Sequence, residues 1–91
     1  MTARTTYHGS TAPSPLYVNE HFSVTVDGTR HDVRIATHSN GHVSTVVKYM
    51  DNYGEWWSLH PNGEQAKPVL DALAADRDAA VAAYEASLVR R

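Results

Sequence analysis

The sequence of 91 residues contains no cysteine and a single phenylalanine, and it has no long apolar run. Without cysteine, neither a disulfide framework nor a zinc site with cysteine ligands can form. No stretch approaches the roughly 20 apolar residues that a membrane-spanning helix needs. The first residues also lack the apolar core of a signal peptide. We therefore expect a cytoplasmic protein that does not engage a membrane.

Positive charge is also scarce, because eight Lys and Arg face ten Asp and Glu, for a net charge of −2. General affinity for nucleic acid is normally carried by clustered Lys and Arg, so this balance argues against it. The apolar content of 42% and the charged content of 20% are ordinary for a folded soluble chain. The length corresponds to one domain.

The N-terminal stretch 1–15 carries Thr, Ser, Gly and two prolines, Pro13 and Pro15, with few apolar residues. Such a composition is typical of mobile segments. We therefore expect a flexible N-terminal tail over 1–15 and a single α+β domain over 16–91.

Two alternating apolar runs within 21–37 flank Asp27-Gly28, which is a strong signal for a hairpin with a two-residue type I′ turn. This loop pairs Val26 with Thr29, Val24 with His31, and Phe22 with Val33. The residues predicted to share the inner face are Phe22, Val24, Val26, His31, Val33 and Ile35.

The next turn, within 38–42, can close in two ways. A two-residue Asn40-Gly41 loop would place Ile35 on the same face as Val46 and Lys48. A three-residue loop over 39–41, with Gly41 in the left-handed conformation, shifts the alternation by one residue. We prefer the second, because it gathers the apolar residues on one face and makes His38 and His42 neighbours across the hairpin. The inner-face residues that it adds are Val43, Val47 and Tyr49.

The run 42–60 holds both tryptophans and predicts two strands, 42–50 and 55–60, around a turn at 51–54. Trp56 and Trp57 are adjacent, and adjacent strand residues point to opposite faces. We place Trp57 and Leu59 in the core, which leaves Trp56 on the outer face.

A helix is predicted over 65–89, with its start nearer Lys67 because Pro68 is tolerated only in a first turn. Its predicted apolar stripe comprises Leu70, Leu73, Ala74, Ala80, Val81, Tyr84 and Leu88. The expected fold is therefore an α+β domain, a four-stranded antiparallel meander with one C-terminal helix packed on one face. One helix covers one face of a sheet, so the outer face stays open.

The sequence contains only weak motifs for a metal site or a catalytic site. Six histidines are present, and His38 and His42 could begin a metal site with His21 or His60, but a zinc site wants three or four ligands at defined spacing. No Gly-rich nucleophile elbow surrounds any serine. Asp51 and Glu55 flank a turn rather than a cavity that could tune a carboxylate pair. We predict no enzyme activity, no cofactor and no metal.

An outward tryptophan beside methionine and arginine is typical of a protein interface. The predicted partner-binding residues are Trp56, Met50, Lys48, Val46, Arg34, His38 and His42. The alternatives are that the tail or Tyr17 covers Trp56, or that the two faces are inverted.

We therefore predict a small non-enzymatic interaction module that binds a protein partner through its open sheet face. Small proteins without cofactor motifs are often accessory or inhibitory proteins of phage or mobile-element type. The alternative is a single-stranded nucleic-acid-binding domain that uses the same face. A third possibility is a homodimer in which two outer faces pair.

Overall fold

The computed structural model describes residues 2–89 and shows an antiparallel sheet with one C-terminal helix. The elements are β1 (Ala3–Ser14), β2 (Tyr17–Val26), β3 (Thr29–His38), β4 (Val43–Met50), β5 (Trp56–Leu59) and α1 (Lys67–Val89). The strands lie in the order β1-β2-β3-β4-β5, and each pairs with its sequence neighbours. The predicted α+β class and meander are confirmed, with five strands instead of four. Within residues 2–89, no helix is both long enough and apolar enough to cross a membrane.

The additional strand is β1, which takes up residues 3–14 of the flexible tail predicted over 1–15, and residue 1 of that prediction lies outside the described residues. It pairs with β2 from Ala3 opposite Val26 to Ser14 opposite Tyr17. Its Thr and Tyr residues favour strands. Pro13 is tolerated because β1 lies at the edge of the sheet, where one side of the strand needs no ladder hydrogen bonds. Residues 3–14 are therefore part of the folded domain.

An irregularity in β1 centres on Gly9. The pairing with β2 shifts between Tyr7 and Ser10, and Gly9 has φ +99° there. A Cβ atom at this position would lie 2.7 Å from the hydroxyl oxygen of Tyr84 on α1. Glycine suits this position for two reasons: it adopts positive φ without strain, and its lack of a side chain leaves room for the helix.

Both predicted hairpin registers are confirmed. Val24 pairs with His31 across β2 and β3, and His31 Nδ1 lies 3.2 Å from the carbonyl oxygen of Val24. Between β3 and β4 the three-residue loop is observed, with Gly41 at φ +88° and Val33 opposite Val47.

The core lies between the inner face of the sheet and α1. Its buried members are Phe22, Val24, Val26, Val33, Val47, Ala66, Val69, Ala72 and Leu73. The predicted helix stripe was partly wrong, since Val69 and Ala72 are buried while Ala74 and Leu88 are exposed. Ala66, just before the helix, is buried together with Val69, Ala72 and Leu73, so this face of the helix meets the sheet.

Helix α1 lies over β1 and β2. Tyr7 packs between Phe22 and Tyr84, with ring centroids 4.9 and 5.0 Å away, respectively. The guanidinium of Arg77 donates two hydrogen bonds to the carboxylate of Glu20, at 2.8 and 3.0 Å.

This placement of the helix leaves β5 largely uncovered. Leu59 is partly buried against the core, but Trp57 is 51% exposed. The prediction that Trp57 belongs to the core is therefore wrong. The strand alternation places its side chain on the helix side of the sheet, but the helix does not reach that far across.

Candidate functional site

The outer face of the sheet carries the side chains that alternate away from α1. The register places six of the seven predicted partner-binding residues on this face, and His42, just before β4, lies with its ring beside that of His38. They do not form one patch, however. Trp56 and Met50 lie at one end, whereas His38 and His42 lie at the other, about 25 Å away at ~3.3 Å per residue along β3. The central residues are Arg34, Val46 and Lys48.

The Trp56 end is the most interface-like part of the face. Trp56 pairs with Met50 across β4 and β5, and its side chain remains partly exposed, at 39% for the whole residue. The guanidinium carbon of Arg30 lies 5.9 Å from the centroid of the indole ring. This is within the range of a cation–π contact, in which the guanidinium lies over one face of the ring.

The turn that leads into β5 is organised by the carboxylate of Asp51. Its Oδ1 accepts hydrogen bonds from the backbone N–H groups of Tyr53 at 2.8 Å and Glu55 at 3.0 Å. Its Oδ2 accepts a bond from the indole N–H of Trp57 at 2.8 Å. The Trp57 bond, and then the Glu55 bond, lower the pKa of Asp51 from its ordinary value, because they stabilise the carboxylate. Trp56 therefore follows a fixed turn.

A cleft of about 460 Å³ occupies the centre of the outer face. The predicted residues Arg34, Val46 and Lys48 line it. Further lining residues, which the sequence pattern alone does not assign to the site, include His8, His21, Ser23, Arg30 and Asp32.

The β1 side of the cleft is held by side-chain hydrogen bonds. His8 Nε2 lies 2.6 Å from the Ser23 hydroxyl oxygen, and His21 Nε2 lies 3.0 Å from the hydroxyl oxygen of Thr11. These contacts fix both imidazoles at the rim, on neighbouring strands. The sequence alone does not assign His8 to the site, because the composition of 1–15 predicts a flexible tail. The alternation of Arg4, Thr6 and His8 with Thr5 and Tyr7 was the available signal for a strand.

Charge is segregated between the two sides of the molecule. The basic residues of the outer face are Arg4, Arg30, Arg34 and Lys48, and Asp32 is its one acidic residue among the strand positions described. The remaining described residues include two basic side chains, Lys67 and Arg77, against nine acidic ones. The slightly negative net charge thus conceals a basic face on an otherwise acidic domain.

The far end of the face is an aromatic ladder. The ring centroids of Tyr17 and His38 are 5.4 Å apart, and those of His38 and His42 are 5.6 Å apart. The backbone N–H of His38 donates to the carbonyl of His42 at 2.8 Å. Over residues 2–89, no group of three or more His, Asp or Glu side chains is arranged to hold a metal ion.

The fold and this face together define a small α+β domain with a helix-covered face and an open, basic, cleft-bearing face. Comparison with known proteins found no match, since no family model fits the sequence and no curated protein or solved structure is significantly similar.

Proposed function

We propose that the protein is a non-enzymatic interaction module that binds a protein partner through the outer face of its sheet. The observation that carries this proposal is Trp56, which is partly exposed on a face that α1 does not cover and lies beside Arg30, a residue that lines the cleft. Such a module would act as an accessory or inhibitory protein.

A partly exposed tryptophan such as Trp56 stabilises the free domain less than a buried one, whereas aromatic anchors dominate the energy of protein interfaces. Met50 beside it supplies a flexible apolar contact that adapts to a partner surface. Arg30 adds a residue type that is enriched in interfaces. Trp56, Met50 and Arg30 together form a surface that can bury apolar area against a partner.

The test is capture of a partner from nuclease-treated cell lysate, followed by titration of the purified partner against variants. Trp56→Ala should weaken binding at least tenfold, about 1.4 kcal/mol or more. Tyr53→Ala is the matched control, because Tyr53 is 91% exposed at the turn tip and lies outside the outer face. Thermal unfolding of both variants should show that the domain remains folded. Equal affinity of Trp56→Ala and wild type would contradict the proposal.

Binding of single-stranded nucleic acid is the second candidate, and the four basic residues of the outer face favour it. A nucleic-acid complex should weaken steeply with salt, because phosphate contacts release counterions. Arg34→Gln and Lys48→Gln should each reduce that salt dependence. Sedimentation of the free protein tests the homodimer, which would bury Trp56 without any other partner.

A further inference from the structure

We infer that the central cleft of the outer face is a carboxylate subsite, which receives Asp or Glu side chains from an acidic segment of the protein partner. The inference rests on the proposed function and specifies the chemistry of its partner. It depends on the ion pairing around the cleft, its position relative to Trp56, and the charge of the rest of the domain.

Two cations of the cleft are available to a ligand. Among the residues that the structure describes, neither Arg34 nor Lys48 forms an ion pair. Lys48 lies opposite Asp32 in the register, but Asp32 forms its ion pair with Arg30, at 3.8 Å.

The two basic residues of the helix that the structure describes are paired in contrast. Lys67 Nζ lies 3.1 Å from the Asp71 carboxylate, and Arg77 lies 2.8 Å from Glu20. Among the described residues, unpaired cations therefore line the cleft, whereas those of α1 are paired, so an incoming carboxylate meets unpaired positive charge at the cleft.

The cleft has the chemistry that a carboxylate requires. Arg34 presents a planar fork able to donate two parallel hydrogen bonds to one carboxylate. Lys48 adds a point charge from the adjacent strand, and His21 lies directly opposite Arg34 on β2. Val46, opposite Arg34 on β4, adds an apolar wall that excludes water from one side.

The position of the cleft constrains the ligand. Arg30, beside Trp56, and Arg34 are four residues apart on β3, which corresponds to about 13 Å in a strand. An extended peptide spans the same distance in about four residues. The expected motif is thus an apolar or aromatic residue for Trp56, with an acidic residue four positions away for the cleft.

A protein segment fits this face better than a nucleic acid does. Single-stranded nucleic acid is bound by successive aromatic stacking platforms along a basic track. Here Trp56 is at one end, and the other aromatic ladder, which begins at Tyr17, lies at the opposite end. The acidic remainder of the domain repels a polyanion, whereas a short acidic segment can be steered to the basic face alone.

The experiment uses the full chain and two fluorescein-labelled 12-residue peptides. One carries Leu with Glu at the fourth and fifth following positions, and the other has Gln in place of both Glu residues. Anisotropy at ~50 mM salt should show at least about fivefold tighter binding of the Glu peptide. NMR shift changes should centre on Arg34, Lys48 and His21.

Charge variants identify the subsite. Arg34→Glu and Lys48→Glu should each weaken the Glu peptide about three- to tenfold, and the Gln variants should do so by less. Lys67→Glu is the matched control, because it makes the same change in net charge on the helix side, and it should alter affinity less than twofold. Circular dichroism confirms that each variant is folded.

Several results would overturn the inference. Equal affinity for the two peptides, no binding of either at millimolar concentration, or an equal loss with Lys67→Glu would each do so. A 12-nucleotide oligothymidylate that binds more tightly than the Glu peptide would favour the nucleic-acid reading instead. If Trp56→Ala abolishes partner binding while Arg34→Glu and Lys48→Glu leave it intact, the subsite fails and the proposed function stands. If no variant affects partner binding, both fail.

Discussion

The indole N–H of Trp57 donates a 2.8 Å hydrogen bond to the carboxylate of Asp51, six residues earlier in the chain. The two tryptophans of β5 thus make different contacts. Trp57 closes the turn that begins at Asp51, whereas Trp56 emerges on the opposite face beside Arg30. Exposure alone therefore does not identify a binding residue: the hydrogen bond gives Trp57 a structural contact, and the proposed binding role falls to Trp56.

Trp57→Phe should raise the pKa of Asp51 towards its ordinary value, because the largest stabilising contact to the carboxylate is lost. The depressed pKa adds stability that is present above the unfolded-state value of about 3.9 and is lost as pH falls through the folded value. The variant should therefore lose less stability on acidification below about pH 4. A ¹³C NMR titration of the Asp51 carboxyl measures the shift. Trp56→Phe is the control, and an unchanged Asp51 titration in Trp57→Phe would contradict the assignment.

Gly9→Ala should destabilise the domain more than Gly41→Ala does. Both glycines have positive φ, which costs a residue with a side chain about 1–3 kcal/mol. A Cβ at Gly9 also meets Tyr84, while a Cβ at Gly41 meets no atom within 4 Å. Chemical denaturation compares the two, and adding Tyr84→Phe should restore part of the Gly9→Ala loss. Equal losses for the two glycine variants would show that the helix yields to the new methyl group.

Tyr7→Ala should lower the free energy of unfolding by about 2–4 kcal/mol, because an aromatic ring packed against two others is removed. Ser10→Ala, at an exposed position of the same strand, should change it by less than about 0.5 kcal/mol. Urea unfolding gives both values. A negligible effect of Tyr7→Ala would mean that β1 is dispensable, as a flexible tail would be.

The Arg77–Glu20 ion pair should contribute modestly to stability. Its side chains are 45% and 22% exposed, respectively, and exposed pairs are worth about 0–1 kcal/mol. Both hydrogen bonds come from one guanidinium nitrogen, Nη2, so the pair lacks the parallel two-nitrogen geometry of the strongest arginine–carboxylate pairs. A double-mutant cycle with Arg77→Ala and Glu20→Ala should give a coupling of about 0.5 kcal/mol that falls as salt rises. A coupling that does not change with salt would show that packing, not charge, joins the two residues.

The features predicted well from the sequence are those set by local chemistry. Asp27-Gly28 determines the first hairpin, and its register follows from the two-residue loop. Gly41 determines the second hairpin in the same way. Pro68 marks the start of α1, because a proline is acceptable only in the first turn.

The wrong predictions concern features that depend on how the elements pack in the tertiary structure. Strand β1 reads as a tail because Gly9 and Pro13 interrupt its pattern, and only pairing with β2 and packing on Tyr84 show why they are tolerated. For Trp57, the alternation gives the side of the sheet correctly, but a single sequence does not reveal how far α1 reaches across it.

The site was predictable only in part, because some of its residues follow from strand alternation and others are brought there by tertiary pairing. Strand alternation places Trp56, Arg34 and Lys48 on the outer face. The cleft also needs His8, which β1 supplies, and Arg30, whose proximity to Trp56 depends on the pairing across β4. The residue types alone indicate an interface. Which charged side chains lie together, however, depends on how the strands pair in the sheet.

The packing of α1 on β1 and β2 has a consequence for the order in which the domain folds. Glu20 and Arg77 are 57 residues apart in the chain, and Tyr7 and Tyr84 are separated by still more. Contacts between such distant residues form late and slow the folding of a small domain. During synthesis, β1 leaves the ribosome well before the helix that covers it. The hairpins around Asp27 and Gly41 can form early, but the Tyr7 side of the core is completed only when the last element arrives.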